Sequence, residues 1–193
     1  MNRRGARKNW RMKSFASIWL VVALDLSAFA QITNTHAALE LKKNDGADTQ
    51  KPVLTFPVTA AVVSAPFVLT NGYISQPEQL DIADSGKAVY NFTITNSGNY
   101  MVEALVNATG EDANSFYVNV DGQPEDPAMV WDIEVTSGFE ARTVSWRGDG
   151  PADNDQFAPK PFKLTAGAHK LIIVGREADT ELKTVFLYPA PAE

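Results

Sequence analysis

Pro161–Leu187 reads PFKLTAGAHKLIIVGREADTELKTVFL, and its reading decides the fold. It contains three short strand patterns separated by two turns. Phe162–Leu164 leads into Thr165-Ala166-Gly167, where glycine can take φ > 0 without steric cost. Leu171-Ile172-Ile173-Val174 is a continuous apolar run of strand length, rich in β-branched residues. Gly175 breaks it, Arg176–Glu181 is polar, and Leu182–Tyr188 resumes an extended pattern. A run apolar at consecutive positions is buried on both faces, or on one face beneath another strand. The rest of the chain must therefore supply partner strands.

It does so at short spacing. Tyr90, Phe92 and Ile94 alternate with Asn91, Thr93 and Thr95; after the turn Asn96-Ser97-Gly98, Tyr100, Val102, Ala104 and Val106 share one face. This is the strongest hairpin signal in the chain. Phe67–Leu69 and Tyr73–Ile74 flank the turn dipeptide Asn71-Gly72. Phe116-Val118-Val120, Met129–Ile133 and Ala141–Arg147 are further strands, and a long loop, Gly148–Pro161, precedes the final three. No sustained helical period occurs beyond the N-terminal leader. About nine short antiparallel strands predict an all-β sandwich or barrel, placed at residues 61–188. Residues 31–60 read as a linker or flexible N-terminal arm with Val53–Phe56 as a candidate edge strand, and residues 189–193 as a tail.

The first thirty residues differ from the rest. Arg3, Arg4, Arg7, Lys8, Arg11 and Lys13 precede the apolar stretch Phe15–Leu24, and Ser27-Ala28-Phe29-Ala30 has the small-x-small pattern of a cleavage site. The apolar stretch is shorter than the roughly 20 residues a membrane span needs. Residues 1–30 are therefore expected to be a signal peptide, cleaved after Ala30 or Ala38, with an uncleaved anchor as the alternative. The expected location is secreted, periplasmic or at the cell surface. Cleavage after Ala30 removes six of the 17 basic residues and one of the 23 acidic ones, leaving 11 against 22 and a net charge of −11. Such a surface repels phosphate backbones, so no nucleic-acid partner is expected. The chain has no cysteine, so neither disulfides nor a thiolate metal site can form.

Several segments carry a family resemblance. Asn114-Ser115-Phe116-Tyr117-Val118-Asn119-Val120-Asp121-Gly122, Trp131-Asp132-Ile133, Val144-Ser145-Trp146-Arg147-Gly148, Leu164–Leu187 and the turn Ser97-Gly98-Asn99-Tyr100 follow one another in a set order. Together they resemble the non-catalytic β-jelly-roll carbohydrate-binding modules, galactose-binding-like sandwiches, of secreted bacterial proteins. The resemblance spans roughly Phe67–Leu187. It implies a jelly-roll fold and a partner that is an oligo- or polysaccharide. Relatives often hold a structural calcium with acidic residues on the first strand and an Asp after the last loop's Leu. Here Leu182 precedes Lys183, and Phe67-Val68-Leu69 has no carboxylate, so no cofactor is expected. Asp153-Asn154-Asp155 retains oxygen-rich spacing that suits calcium and stands as the alternative metal site.

Strict up-and-down alternation from Ala88–Thr95 would place Asn96–Gly98, Asp121–Ala128, Gly148–Pro161 and Gly175–Thr180 at one end. Thr109–Asn114, Glu134–Phe139 and Thr165–Ala168 would then lie at the other. Sugars present C–H faces and hydroxyl rims, so their sites combine an aromatic platform with amide, carboxylate or guanidinium groups. The candidate carbohydrate-binding residues are Trp146, Arg147, Asn154, Phe157, Arg176, Glu177 and Asp179, with Trp131 and Asp149 nearby. The competing readings are that Trp131 and Trp146 belong to the core, and that Arg176 and Glu177 pair structurally. No nucleophile elbow, zinc-ligand spacing or Gly-rich phosphate loop is present, and His169 reads as a structural capping or pairing residue. The function expected is an exported, non-catalytic sugar-binding module. The alternatives are a cell-surface assembly protein, self-associating or binding another surface protein through the sandwich and the arm, and a glycoside hydrolase whose carboxylate pair the sequence does not single out.

Overall fold

The computed structural model describes residues 51–148 and 156–191. They form twelve β-strands and a single 3₁₀ turn, Val58–Ala60. In chain order the strands are β1 (Leu54–Pro57), β2 (Val62–Ser64), β3 (Val68–Thr70), β4 (Tyr73–Ser75), β5 (Lys87–Ile94) and β6 (Gly98–Asn107). They continue with β7 (Ser115–Val120), β8 (Val130–Asp132), β9 (Glu140–Thr143), β10 (Pro161–Leu164), β11 (Gly167–Gly175) and β12 (Glu181–Pro189). The count exceeds the expected nine because short edge strands such as β2 are too brief to show an alternation.

Two antiparallel sheets stack as a jelly-roll sandwich. One runs β2-β5-β11-β7-β8; the other is built on β10-β6-β12-β4-β3, with β9 also on β6 and β1 also on β12. The predicted apolar faces hold, but the predicted hairpin does not form. β5 lies in the five-stranded sheet and β6 in the other, so the turn between them crosses the sandwich. Ala88, Tyr90, Phe92 and Ile94 meet Tyr100, Val102, Ala104 and Val106 across one core. Alternation tells which face is apolar and not which strand lies alongside. Leu182 and Val185 both enter that core despite their odd spacing, because a bulge between Leu182 and Thr184 resets the pleat. Of the two arrangements open to the apolar run of β11, the structure shows cover on both faces. Leu171 and Ile173 join the main core, while Ile172 and Val174 pack outward with Tyr117 and Val130.

The N-terminal edge of the sandwich lies before Ala61. β1 pairs with β12 over Leu54–Pro57, and Val58 of the 3₁₀ turn is fully buried, so these residues belong to the sandwich and not to an arm. At Asn71 and Gly72 both φ angles are positive (49° and 81°), the mirror-image turn that an Asn-Gly pair favours between two strands.

The end-to-end placement of the loops needs correction. Both β9 and β10 run antiparallel to β6 on its same side, β9 opposite Glu103–Val106 and β10 opposite Gly98–Met101. They are two collinear pieces of one strand position, so the segment between them is an excursion and does not reverse the chain. Every later strand therefore points the other way from strict alternation. Thr165–Gly167 lies beside the β5–β6 turn, where the Ala166 N–H donates to Ser97 Oγ at 2.8 Å. Gly175–Thr180 lies at the opposite end with Thr109–Asn114, where Glu181 faces Asn107.

Candidate functional site

The excursion carries the first candidates. Val144 remains tied to β6, its N–H donating to the Val102 carbonyl, and the chain then crosses the side of the sandwich to β8. There the Arg147 N–H donates to Val130 O at 2.8 Å and the Gly148 N–H to Ala128 O at 3.0 Å. Trp146 points inward during this crossing. Its indole N–H donates to Val118 O at 2.8 Å, its ring meets Phe162 edge-on, and Lys160 Nζ sits 4.3 Å from the ring centroid. Trp131 is fully buried against Phe116 and is a core residue. Phe157 is different: 47% of its surface is exposed. The residue before it is tied to the start of the crossing, the Ser145 hydroxyl donating to the Gln156 carbonyl at 2.7 Å.

Arg147 opens a charged strip along the outer side of the five-stranded sheet. Its Nε and Nη2 donate to the two oxygens of Asp132, at 2.7 and 2.5 Å. Asp132 stands directly opposite Ser115 in the β7–β8 register. The Ser115 hydroxyl accepts from Arg176 Nη1 at 2.7 Å, and the same nitrogen donates to Glu177 Oε1. Glu177 Oε2 in turn accepts the Asn114 N–H at 2.8 Å. The strip thus gathers Arg147, Arg176 and Glu177, which the sequence had placed together for a different topological reason.

Burial orders these charges. The carboxylate side chains are nearly enclosed, 2% exposed for Asp132 and 10% for Glu177, whereas the guanidinium side chains of Arg147 and Arg176 keep 22% and 21% of their surface. Hydrogen bonding to Asp132 raises the Arg147 pKa; burial opposes this, and the charges of Asp132, Glu177 and Asp126 add to it. Tyr117 lies alongside, its phenol pushed up chiefly by burial and by Asp126. The carboxylates fix the planes of two permanently charged, fork-shaped donor groups. Such an arrangement can donate several hydrogen bonds to hydroxyl or anionic oxygens with little ordering left to do.

Asp179 is not part of the strip: at φ 59° it turns the β11–β12 connection, its N–H donating to Gln76 O at 2.8 Å. Asp149 and Asn154 lie outside the described residues, as does the alternative calcium segment Asp153–Asp155. Where the resemblance puts calcium-binding carboxylates, the donor set does not fit that ion. Lys183 places its ammonium 5.2 Å from the Phe139 ring centroid, and Val68 and Leu69 offer only apolar side chains. Among the described residues no group of three or more His, Asp or Glu could hold a metal. The expected leader also lies outside them; no described helix is long and apolar enough to cross a membrane.

Sequence reading overlooked Asp132, Ser115 and Asn114 as site builders. Their signal was parity: Ser115 and Asp132 occupy outward positions of neighbouring strands, where a polar residue on a buried edge needs a partner.

No protein-family model matches the chain, and no curated protein matches it. Among solved structures, it is similar to the GH26–CBM35 β-(1,4)-mannanase of Podospora anserina, at 13% identity and a TM-score of 0.49. That match covers 72% of this chain but only 28% of the mannanase. It is also similar to a family 35 carbohydrate-binding module from Clostridium thermocellum, at 13% identity and a TM-score of 0.49, over 71% of this chain and 98% of that one. The C-terminal CBM6 of a marine laminarinase from Zobellia galactanivorans gives 11% identity and 0.49, covering 70% and 98%.

Proposed function

We propose that the protein is an exported, non-catalytic module that binds an oligo- or polysaccharide along the Arg147–Arg176 strip, with Phe157 as the stacking platform. The observation that carries this reading is the pair of guanidinium groups on one strip, 22% and 21% exposed and each held by a more enclosed carboxylate; the exposed Phe157 supplies the aromatic ring. Sugar hydroxyls accept from such donors, and the flat C–H face of a pyranose covers an aromatic ring. Similarity of the sequence motifs to carbohydrate-binding modules supports the same reading, as does the acidic mature surface, which suits a neutral polysaccharide better than a polyanion.

A glycan array tests it. The chain should retain a defined set of glycans; Phe157→Ala and Arg147→Lys should each lower that retention at least about tenfold, the equivalent of 1.4 kcal/mol, while remaining folded. Retention unaffected by either change would remove the strip as the site. Repeating the screen with chelator separates a calcium-dependent site, drawn from Asp153–Asp155, from a metal-independent one. Absence of any glycan binding by the folded chain would transfer the assignment to surface assembly. That second reading has its own observation: Val62, Val68 and Leu69, on the edge strands β2 and β3, are about half exposed or more, and open strand edges invite pairing with another chain.

A further inference from the structure

At the end of the sandwich formed by the β5–β6 and β10–β11 turns, the His169 side chain lies between two hydrogen-bond acceptors. Nδ1 is 2.7 Å from Asp121 Oδ2, and Nε2 is 2.6 Å from the Thr165 carbonyl oxygen. The carboxylate's other oxygen accepts the Lys170 N–H at 2.9 Å. Neither an ionised carboxylate nor a carbonyl can donate a hydrogen bond, so both ring nitrogens must carry hydrogen for both contacts to exist. A ring with two N–H groups is an imidazolium.

We propose that Asp121, His169 and Thr165 form a proton-dependent clasp that ties the β7–β8 connection to the β10–β11 turn and opens when the ring loses its proton. The imidazole is the enclosed half of the clasp: the His169 side chain is 6% exposed and rests on the Phe92 ring, with centroids 5.6 Å apart, whereas the Asp121 side chain keeps 49% of its surface. Among the described residues the charged groups acting on the pair are Asp121 and Lys170; β5 contributes Phe92 and Asn91, which do not titrate. Backbone geometry reinforces it. Asp121 sits at φ 62°, and its own N–H donates to Lys170 O at 2.8 Å, so residue 121 is held from both its backbone and its side chain.

Titration follows the same geometry. Burial pushes the His169 pKa down, but hydrogen bonds to Asp121 and Thr165, together with the Asp121 charge, outweigh it and leave the ring above its usual 6.5. Burial likewise pushes the Asp121 carboxyl up; His169 and Lys170 outweigh it and leave the carboxyl below 3.8. The clasp is accordingly closed between these limits. It opens on the alkaline side as His169 deprotonates and on the acid side as Asp121 protonates. The β7–β8 connection it restrains also supplies the Ala128 carbonyl that anchors Gly148, so one flank of the charged strip is tethered through it.

The chain has only two histidines, His36 and His169, which makes a direct test simple. Ring nitrogen NMR of the full chain should show both His169 nitrogens protonated at about pH 6, with a midpoint above 6.5. Asp121→Asn should lower the His169 midpoint. A neutral single tautomer at pH 6, or a midpoint at or below 6.5, would overturn the clasp, and so would a midpoint indifferent to Asp121→Asn. Should the variant fail to fold, the wild-type spectrum alone still decides. None of these readouts depends on sugar binding.

Discussion

A methyl group at Gly86 or Gly175 would have no room. An added Cβ at Gly86 would lie 2.4 Å from the Phe67 backbone nitrogen, and one at Gly175 would lie 2.0 Å from Gln76 Oε1. Gln76 cannot simply swing aside: it is 1% exposed, its Oε1 accepts the Gly86 N–H, and its Nε2 donates to the Glu78 carbonyl. Gly86→Ala and Gly175→Ala should each lower unfolding free energy by about 2–3 kcal/mol in urea titrations, as overpacked cores do. Gly72→Ala, with open space around it but a positive φ, should cost about 1 kcal/mol. Trp146 gives a graded pair. Trp146→Phe keeps most of the ring and orphans the Val118 carbonyl, costing about 1–2 kcal/mol; Trp146→Ala also empties a cavity and should cost about 3–5 kcal/mol. Loss of glycan binding in the alanine variant would therefore report unfolding as readily as a lost contact, and Phe157 is the cleaner probe.

At the level of elements, β7 and β8 act as the rack on which the strip is mounted. Ser115 and Asp132 face each other across that pair, and the guanidinium groups attach to them from the excursion and from the end of β11. Asp132→Ala leaves Arg147 without its bidentate partner. Because Arg147 keeps solvent contact, the loss should be about 2 kcal/mol rather than the 3–5 of a fully enclosed pair, and glycan retention should fall with it. Arg142→Ala, whose carboxylate partners Glu134 and Glu140 are more exposed, should change stability by less than about 1 kcal/mol. Strand identity was readable from the chain because alternation and apolar runs encode burial, which is why β5, β6, β7, β11 and β12 were evident. Strand direction was not, since alternation is the same for a strand running either way. A thirteen-residue gap between Arg147 and Pro161 resembles a reversal as much as an excursion, and mistaking the two exchanged the ends assigned to Arg176 and Thr165. Arg147 and Arg176 still converge, because sideways pairing of β7, β8 and β11 joins them irrespective of which end is uppermost.

For the molecule as a whole, stability should vary with pH through the clasp. His169 has a raised pKa, so its contribution is fully present below about 6.5 and disappears as pH rises through the higher folded value; Asp121 has a lowered one, so its contribution is present above about 3.8 and disappears as pH falls through the lower folded value. The stability gap between wild type and His169→Gln should be widest near pH 5–6 and shrink toward pH 9, measured by urea unfolding at each pH; a gap that stays constant would mean that the side chain matters only for packing. The fold also offers a place to build. The excursion leaves and rejoins the same neighbouring strand, departing opposite Glu103 and returning opposite Met101, positions about 7 Å apart along a strand. Its two feet are therefore fixed by the scaffold whatever lies between them, and doubling the intervening length would cost only about 0.6 kcal/mol in closure entropy. Residues 149–155 are thus the natural cassette for diversification: randomised or lengthened sequences grafted there should leave every strand register intact.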